Sequence, residues 1–595
     1  MTVFAFALAL EPGRPLDRFD THPLRPGLAE PGTLHMRSGL GWHAAWRNAP
    51  TGLQTDFAAE ADDLVAITAG RFERRGALCL DLGVAPGARD AVLLIAAYRR
   101  WGEAMLDRLR GDFAFLLWDA RQRRLIAARD QLGCSPLFYR EHDGVLLVGT
   151  ALDALRDHDR AGLSLDENFI GDLLLQGMPA QHETSVYAEI RRVPPARALR
   201  FAGGQVETRR YWSFPAYGDP LILTSRADYA ERFHAGLRDA VAERLPETGP
   251  VVILMSGGLD STAVAAVAAE ILGPEGARAR IKAYTTVFPG FPEQEGHYAA
   301  LAAQHLGIEH HLVEAGDYLG APLPDHDAWL RPEPGAIAGL LAESRAAEAA
   351  AAGGGVLLNG LGADVYLHPP GASFWHIAAR GARALPDTTR HVRLFGRMPD
   401  LRVRASLGRL RRRLAAKPAP KLPAWIDAGF AAHSGLIART AARYAENREA
   451  GAARLTSPYW AALLTMGHPA TTGRSLHPAH PLASLPLIEL AMRLPRAAVT
   501  DKAILRWAMR GRLPDAIVDR AKTPLGSIGT DLIERDPRIA ARTRSLIEGQ
   551  AGALSRFVDP ALAIDALGHA QGRDRVALMN LELLAAWFAS GAVQS

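Results

Sequence analysis

The residues best suited to chemistry lie in one stretch, Ser256-Gly-Gly-Leu-Asp-Ser-Thr262, which follows a predicted buried strand and opens a predicted helix. Its adjacent glycines, Gly257 and Gly258, let the backbone approach an anion without a side-chain clash. Hydroxyl groups and the free N–H groups of the helix start could donate to phosphate oxygens. The hydroxyl groups are those of Ser256, Ser261 and Thr262. Asp260 would repel a phosphate unless a cation lay between them, so the stretch predicts a nucleotide site that binds Mg²⁺.

A second apolar strand ends in a similar glycine turn about a hundred residues later, in Val356-Leu-Leu-Asn-Gly-Leu-Gly-Ala-Asp364. Neighbouring parallel strands end at the same edge of a sheet, so Asp364 could join Asp260 there. Two carboxylates at that edge could hold one or two Mg²⁺ ions against a triphosphate. We assign Asn359 and Gly360, in the same turn, to the ATP-binding site.

A third segment, Leu513-Pro-Asp-Ala-Ile-Val-Asp-Arg-Ala-Lys522-Thr-Pro-Leu-Gly526, places a lysine in a loop after a predicted helix. The ammonium group of Lys522 could neutralise the charge that builds on phosphate and on a tetrahedral intermediate during acyl transfer. The alternative is a solvated surface lysine, which position alone would favour.

Both strand–turn segments belong to a region, from about residue 227, in which helices and strands alternate. The predicted elements are a helix over 227–245, a strand over 251–255, a helix over 262–272, a strand over 282–287 and a helix over 297–306. This alternation is typical of a parallel α/β sheet, which binds ligands at the ends of its strands. Beyond about residue 370 the chain is predicted to be mainly helical.

Residues 1–212 are predicted to form a layered sheet domain, because short strand-like segments outnumber helical ones. The predicted strands cover 3–10, 64–68, 113–119, 124–129 and 145–149, and the helices cover 91–101 and 167–176. Residues 213–226 contain several prolines and glycines and are predicted to link this domain to a second domain of residues 227–595.

Composition narrows the class of protein. The 595 residues are 48% hydrophobic and 22% charged, and 68 basic residues nearly balance 64 acidic ones, so the sequence does not predict a nucleic-acid-binding protein. Only two cysteines, Cys79 and Cys134, are present, which excludes a disulfide framework and a four-thiolate zinc site. No apolar run reaches the roughly 18 residues of a membrane span. We therefore expect a cytoplasmic protein without nucleic-acid or membrane partners.

The three motifs, in this order, resemble the synthetase half of the glutamine-dependent asparagine synthetase family. Two upstream stretches, Leu109–Asp119 and Arg129–Tyr139, are similar to the family's N-terminal glutaminase domain, so the similarity covers nearly the whole chain. The resemblance implies an α/β fold: an N-terminal αββα domain of the Ntn-hydrolase type, then an ATP-pyrophosphatase domain with a helical C-terminal part. It also implies cleavage of ATP to AMP and pyrophosphate.

The same resemblance assigns roles to individual residues. It implies ATP and Mg²⁺ as cofactors, Asp260 and Asp364 as metal ligands, and Asp260 and Lys522 as catalytic residues. Leu254 and Thr286 match positions where the family contacts adenine. The predicted ATP-binding residues are Leu254, Ser256, Gly257, Gly258, Asp260, Ser261, Thr262, Thr286, Asn359 and Gly360.

The chain departs from the family pattern in both halves. Thr2 replaces the cysteine that an active glutaminase carries after its first methionine, and Ala69-Gly70 replaces an Asn-Gly pair that helps form the oxyanion hole. We therefore expect an inactive glutaminase domain, because losing one such donor costs roughly 10²–10³ in rate. In the synthetase half, Leu361 replaces a glutamate that assists ammonia, and Pro481-Leu-Ala-Ser484 lacks the family's aspartate.

This combination of retained and lost residues is similar to the lasso peptide cyclases of the family. These enzymes adenylate an Asp or Glu side chain of a ribosomal precursor peptide, and its N-terminal amine closes an isopeptide ring. The stretch Pro423–Leu436 resembles that branch's helical insertion. The resemblance implies a precursor peptide as partner, together with a leader-peptide protease or a leader-binding protein.

Two other functions remain open. One is an asparagine synthetase, ammonia-dependent or glutamine-hydrolysing, or another small-molecule amide synthetase. The other is a non-catalytic scaffold for a peptide, which the retained Asp260 and Lys522 disfavour.

Three other features have structural interpretations that we favour. The arginine-rich segment 380–413 could bind an acidic leader but is more typical of a solvated face. His310 and His311 are adjacent on a predicted strand and point to opposite faces, which argues against a shared metal. Trp425 and Phe430 could line a peptide cavity, but core packing is the usual place of such residues.

Overall fold

The computed structural model describes 2–14, 16, 34–48, 58–158, 162–215, 221–288, 294–314, 333–334, 355–367, 389, 392–393, 420–446, 452–465, 467–472, 476–521 and 537–590. Within these ranges the N-terminal part contains two antiparallel six-stranded sheets, and the remainder contains a parallel five-stranded sheet surrounded by helices. This confirms the predicted α/β class. The predicted domain bounds and linker stay predictions, and residues 216–220 of the linker are outside the described residues.

Twelve strands of the described N-terminal residues form the two antiparallel sheets. They are β1 (Thr2–Ala9), β2 (Leu34–Gly39), β3 (Trp42–Asn48), β4 (Ala58–Ala61), β5 (Leu64–Phe72), β6 (Gly111–Asp119), β7 (Arg124–Arg129), β8 (Phe138–His142), β9 (Val145–Gly149), β10 (Arg191–Arg192), β11 (Arg197–Ala202) and β12 (Gln205–Arg210). The strand orders are β10-β8-β9-β1-β3-β2 and β12-β11-β7-β6-β5-β4. Four helices accompany them: α1 (Arg75–Leu82), α2 (Asp90–Trp101), α3 (Leu152–His158) and α4 (Glu167–Gln176).

These elements stack in four layers, αββα, as the resemblance implied. Phe6 of β1 and Trp118 of β6 meet in an apolar core between the sheets. The outer face of the second sheet packs on α1 and α2, where Leu94 and Phe115 belong to one core. The outer face of the first sheet packs on α3 and α4. Alternate residues of each strand therefore serve a different core, as the two-residue period of a strand requires.

The parallel sheet follows in the second half of the chain. Its strands are β13 (Val251–Leu254), β14 (Ile281–Val287), β15 (Glu309–Glu314), β16 (Val356–Leu358) and β17 (His477–Ala479). Their order is β15-β14-β13-β16-β17, so the chain adds strands on one side of β13 and then on the other. The gap between β13 and β16 is thus the point where the winding direction reverses. Open parallel sheets bind their ligands at this point, beyond the carboxyl ends of the strands.

Helices cover the parallel sheet and form the C-terminal part. They are α5 (Arg226–Ala242), α6 (Leu259–Arg280), α7 (Glu295–Leu306), α8 (Ala363–Tyr366), α9 (Ala428–His433), α10 (Leu436–Glu446), α11 (Pro458–Thr465), α12 (Pro469–Thr472), α13 (Leu485–Arg493), α14 (Arg496–Val499), α15 (Ala503–Met509), α16 (Asp515–Val518), α17 (Pro537–Gly549), α18 (Ala551–Leu554), α19 (Pro560–Ala566) and α20 (Gly572–Ala589). Short 3₁₀ turns occupy Gly102–Asp107, Ala452–Thr456, Pro481–Ala483 and Thr500–Lys502. No helix of the described residues is long and apolar enough to cross a membrane.

The C-terminal helices complete the N-terminal sandwich. Leu581 and Trp587 of α20 share a buried core with Phe169 and Leu173 of α4, and Asn580 Nδ2 donates to the Leu174 carbonyl oxygen at 3.1 Å. The outer helical layer of the N-terminal half is therefore covered by a helix of the C-terminal half. This core therefore contains residues of both halves of the chain.

The segment Pro423–Leu436, which we compared with a helical insertion, lies in the same shared core. Trp425 is 2% and Phe430 5% exposed, and Phe430 packs edge-on against Phe557. The structural interpretation of these two aromatic residues is therefore confirmed. Of the arginine-rich segment 380–413, only 389 and 392–393 are described.

A buried ion cluster joins the halves at a second place. Arg244, just after α5, donates from Nε and Nη2 to the two carboxylate oxygens of Asp112 at 2.9 and 2.8 Å. Nη2 also donates to Glu73 Oε1 at 2.8 Å. All three side chains are buried. Burial would raise the pKa of Asp112, but the Arg244 guanidinium outweighs it and holds that pKa below its usual value.

Candidate functional site

The first glycine turn follows β13 and leads into α6, as the sequence predicted. Gly257 has φ +65°, and a Cβ there would lie 2.6 Å from the Glu295 carbonyl oxygen and 2.7 Å from the Ala299 nitrogen. The start of α7 is thus packed directly on the turn. Gly258 has an ordinary φ of −78°, so only Gly257 is required by the backbone itself.

We expect the Gly257→Ala variant to unfold more easily and to turn over ATP more slowly. An alanine in the left-handed region costs about 1–2 kcal/mol, and the contact with α7 would displace the turn that we predict to hold phosphate. A displacement of about 1 Å lowers turnover by about 10²-fold. Urea unfolding and AMP formation measure the two effects. Gly258→Ala is the matched control for stability, and an equal loss of stability in both variants would contradict the strain argument.

The hydroxyl groups of this turn hold its shape. Ser261 Oγ accepts a hydrogen bond from the Ser256 nitrogen at 3.1 Å, and Thr262 Oγ1 donates to the Gly258 carbonyl oxygen at 2.9 Å. Thr262 is fully buried, whereas Ser256 is exposed. Of the three predicted phosphate-binding hydroxyls, Ser256 is therefore the one that faces outward, and the other two brace the turn.

The second glycine turn lies against the first. A Cβ at Gly360 would lie 2.8 Å from the Ser261 nitrogen and 2.9 Å from Asp260 Cβ. Asn359 Oδ1 accepts from the Leu361 nitrogen at 3.1 Å and lies 2.9 Å from His480 Nδ1. Asn359 thus shapes its own turn, and Gly360 permits the contact between the two turns.

The two predicted metal-binding carboxylates meet at a third charged residue. Lys502 Nζ lies 2.5 Å from Asp260 Oδ2 and 2.7 Å from Asp364 Oδ1. Burial would lower the pKa of Lys502, but the two carboxylates outweigh it and raise that pKa above its usual value. The structure therefore brings Asp260 and Asp364 within reach of one cation. No local pattern in the sequence marks Lys502, which lies far along the chain at the start of α15.

The two carboxylates at this cation position, those of Asp260 and Asp364, are ligands that suit Mg²⁺. Two carboxylates face one cation position at the ends of adjacent parallel strands, and Mg²⁺ in nucleotide sites is held by one or two carboxylates together with substrate phosphates. No cluster of three or more His, Cys, Asp or Glu side chains is found among the described residues. A site with only two protein carboxylates leaves most of the coordination shell to phosphate and water.

Leu254 and Thr286, the two residues predicted to contact adenine, lie at the same edge of the parallel sheet. Leu254 ends β13, paired in register with Tyr284 of β14, and Thr286 is two residues further along β14. The Met255 nitrogen donates to the Tyr284 carbonyl oxygen at 2.9 Å. The Thr286 side chain is buried, and its Oγ1 atom makes no hydrogen bond to any part of the chain that the structure describes. The neighbourhood of these strand ends is thus compatible with the predicted contacts.

Lys522 lies outside the described residues. Arg520, two residues before it, donates from Nη1 to the Gly257 carbonyl oxygen at 3.1 Å. Its guanidinium lies 4.1 Å from the ring centre of Tyr298 in α7. The segment that leads to Lys522 therefore touches the first glycine turn. Arg520 was not singled out from the sequence, although it stands in the third motif.

The N-terminal domain is altered where the family pattern places its glutaminase residues. Ala69 of β5 is fully buried and offers only an apolar side chain. Gly70, with φ +99°, would bring a Cβ within 2.0 Å of the Asp112 carbonyl oxygen. Thr2 begins β1. The strand therefore keeps the glycine that its backbone needs but lacks the amide donor beside it.

Two further positions named from the sequence can be placed. Leu361 is half-buried and packs on the core of the parallel sheet, and Ser484 is buried at the start of α13. His310 Nε2 lies 2.8 Å from Thr285 Oγ1, whereas His311 stacks on Tyr284. The two histidines thus contact different partners, as the prediction that they point to opposite faces of the strand requires.

Comparison with known proteins identifies both halves. The asparagine synthase family model matches residues 232–589, and the glutamine amidotransferase domain model matches residues 85–212. Asparagine synthetase [glutamine-hydrolyzing] 3 of Bacillus subtilis is 30% identical over 215 residues, which cover 36% of this chain and 34% of the relative. Amidase chry2 of Gibberella zeae is 30% identical over 278 residues, covering 43% and 40%.

A putative glutamine-hydrolysing asparagine synthetase of Mycobacterium tuberculosis is 30% identical over 290 residues, which cover 46% of this chain and 42% of the relative. The matched regions span between about a third and two fifths of the length of these relatives. The family model, by contrast, matches more than half of this chain. The chain therefore belongs to the asparagine synthase family.

Proposed function

We propose that the chain is an ATP-dependent carbon–nitrogen ligase that activates a carboxylate as its adenylate and releases AMP and pyrophosphate. The observation that carries this proposal is the meeting of Asp260 and Asp364 around one cation position, at the reversal point of the sheet and beside the first glycine turn. Mg²⁺, when bound there, would neutralise charge on the triphosphate. Lys502 and Arg520 supply further positive charge at the same turns.

We propose further that the substrate is a ribosomal precursor peptide and the product an isopeptide-linked lasso ring. In the first step, an oxygen of an Asp or Glu side chain of the peptide forms a bond to the α-phosphorus, and pyrophosphate leaves. In the second step, the N-terminal amine attacks the acyl carbon, AMP leaves, and the amine gives up a proton to solvent or a nearby base. The atoms lost between the linear peptide and the ring amount to one water.

The altered residues support a substrate that carries its own amine. An N-terminal amine has a pKa near 8, so a sizeable fraction is neutral at physiological pH and needs little help from a base. Leu361 cannot take a proton, and Ala69 cannot help to generate ammonia from glutamine. Both losses are tolerable for a peptide cyclase. They would disable an enzyme that must make ammonia and use it.

We also propose the partners that this reaction requires. The amine must be the first residue of the mature peptide, so any leader has to be removed before the ring closes. A leader-peptide protease or leader-binding protein would therefore work with this chain. Pull-down with a tagged precursor is expected to retain the chain, and retention that is lost when the leader is deleted would identify the leader as the bound part.

AMP formation from Mg-ATP tests the proposal directly. We expect no stimulation by aspartate with ammonium or glutamine, but stimulation by the leaderless precursor peptide, with a product lighter by one water in mass spectrometry. The Thr2→Ala variant is expected to behave like the unmodified protein. Stimulation by aspartate with asparagine as product would refute the cyclase reaction.

An amide synthetase that acts on a small carboxylate is the second candidate, because two of the relatives are named asparagine synthetases. It shares the adenylation step and differs only in the acceptor. The same assay separates the two, since ammonium is an obligatory substrate in one case and irrelevant in the other.

A further inference from the structure

A lysine ammonium stands where a metal ion would bridge the two strand-end carboxylates. Lys502 Nζ is 2.5 Å from Asp260 Oδ2 and 2.7 Å from Asp364 Oδ1, and Lys502 is 9% exposed. Mg²⁺ would sit about 2.1 Å from such oxygens. An ammonium and a metal ion cannot both occupy that gap.

The backbone of Lys502 is fixed, whereas its side chain is a flexible four-carbon chain. Asp501 and Lys502 both adopt left-handed conformations, with φ +55° and +56°. The Lys502 nitrogen donates to the Leu367 carbonyl oxygen at 2.8 Å, just beyond α8. The helix α15 begins at the next residue. Only the flexible four-carbon side chain can therefore move the charge, and it can do so without disturbing the helix.

The energetics of exchange depend on what else enters the site. Asp260 needs a neighbouring cation, because its side chain is only 17% exposed and a largely buried carboxylate without a cation is costly. Asp364 is 45% exposed and adds a second negative charge at the same position. If Mg²⁺ enters alone, the displaced ammonium gives up the two ion pairs that it makes with the described residues. If Mg²⁺ enters with a triphosphate, the displaced ammonium finds phosphate oxygens within reach. The exchange is favourable only in the second case.

We infer that Lys502 is the resident cation of this site before nucleotide binds, so that Mg²⁺ is admitted only together with the triphosphate. This inference rests on the proposed function for the identity of the triphosphate. Lys502 is thereby a residue that sets the order of binding. It protects the two carboxylates from free divalent cations and delivers its charge to the phosphates when they arrive.

Titration with Mn²⁺, followed by the electron paramagnetic resonance signal of the free ion, tests the inference without turnover. We expect the unmodified protein to bind Mn²⁺ weakly alone and much more tightly with a non-hydrolysable ATP analogue. The Lys502→Met variant is expected to bind Mn²⁺ without nucleotide at least about tenfold more tightly than the unmodified protein. Lys502→Arg keeps the charge and should remain weak. Asp364→Asn should abolish the tight binding in every background, which assigns it to this site.

The outcomes distinguish failure of the inference about Lys502 from failure of the proposed nucleotide site. Tight Mn²⁺ binding by the nucleotide-free unmodified protein would overturn the inference, and so would a folded Lys502→Met variant that binds no more tightly. If Lys502→Met does not fold, the titration of the unmodified protein alone decides. Absence of Mn²⁺ binding even with the ATP analogue would instead refute the proposed nucleotide site.

Discussion

The Asp260→Asn variant is expected to lose AMP formation by about 10³-fold or more while remaining folded. Metal-assisted charge stabilisation is worth several kcal/mol, and each 1.36 kcal/mol corresponds to a factor of ten in rate. An amide keeps the shape of the carboxylate but not its charge. It also removes one of the two partners of Lys502, so the cation position loses half of its negative charge.

The measurement is AMP release from Mg-ATP in the presence of the proposed peptide substrate, with the melting temperature recorded in parallel. Asp239→Asn is the matched control, because Asp239 is exposed on α5 and lies outside the site. It should alter neither quantity. Turnover of the Asp260 variant within tenfold of the unmodified protein would remove the metal-binding role of this aspartate.

The Arg244→Met variant is expected to destabilise the whole chain, by about 3–5 kcal/mol. Methionine fills much of the space but leaves Asp112 and Glu73 buried without their cation. Breaking a buried ion cluster on one side is costly because the remaining charges stay unpaired. Since the cluster joins the two halves, the loss should appear in probes of both.

Urea unfolding, followed by the fluorescence of tryptophans in both halves, measures the effect. Arg238→Met, on α5 just before Arg244, is the matched control, because Arg238 is half exposed and its ion pair with Glu270 is long, at 3.6 Å. Surface pairs of this kind contribute little. Adding Glu73→Gln and Asp112→Asn to Arg244→Met should restore part of the stability. If Arg244→Met lowered the free energy of unfolding no more than Arg238→Met does, the buried ion cluster would not stabilise the chain as we expect.

The elements around the first glycine turn could be predicted closely because their signals are local. The strand predicted over 251–255 is observed as Val251–Leu254, and the second as Ile281–Val287. The helix predicted to end at 272 continues to Arg280, but its backbone breaks at Gly273, where φ is +70°. Apolar runs, glycines and prolines act within a few residues, so sequence alone locates them.

Other parts of the fold depend on distant residues and were missed. The strand Leu34–Gly39 has four exposed residues, and Arg191–Arg192 has only two residues, so neither shows an apolar pattern. Lys502 was missed for the same reason. The residues beside Lys502 in the chain form no motif that indicates a nucleotide or metal site. Only the packing of α15 brings Lys502 to the strand ends.

The four-layer sandwich itself was predicted from resemblance rather than from periodicity. Strand patterns indicated a layered sheet domain, but they could not say which helices would cover each face. The outer layer on α4 is completed by α20, about four hundred residues later in the chain. No local rule of strand or helix formation contains information of that range.

That distance in the chain has a consequence for synthesis. The N-terminal sheets leave the ribosome first, but the helix that covers their outer helical layer follows only when residues near 588 have been made. At roughly 5–20 residues per second, the interval is on the order of 20–75 s. Throughout that time Phe169 and Leu173 present apolar surface to the surroundings. We therefore expect the nascent chain to expose this apolar surface until α20 has been made, and a chain that terminates before α20 to aggregate more readily than the full chain.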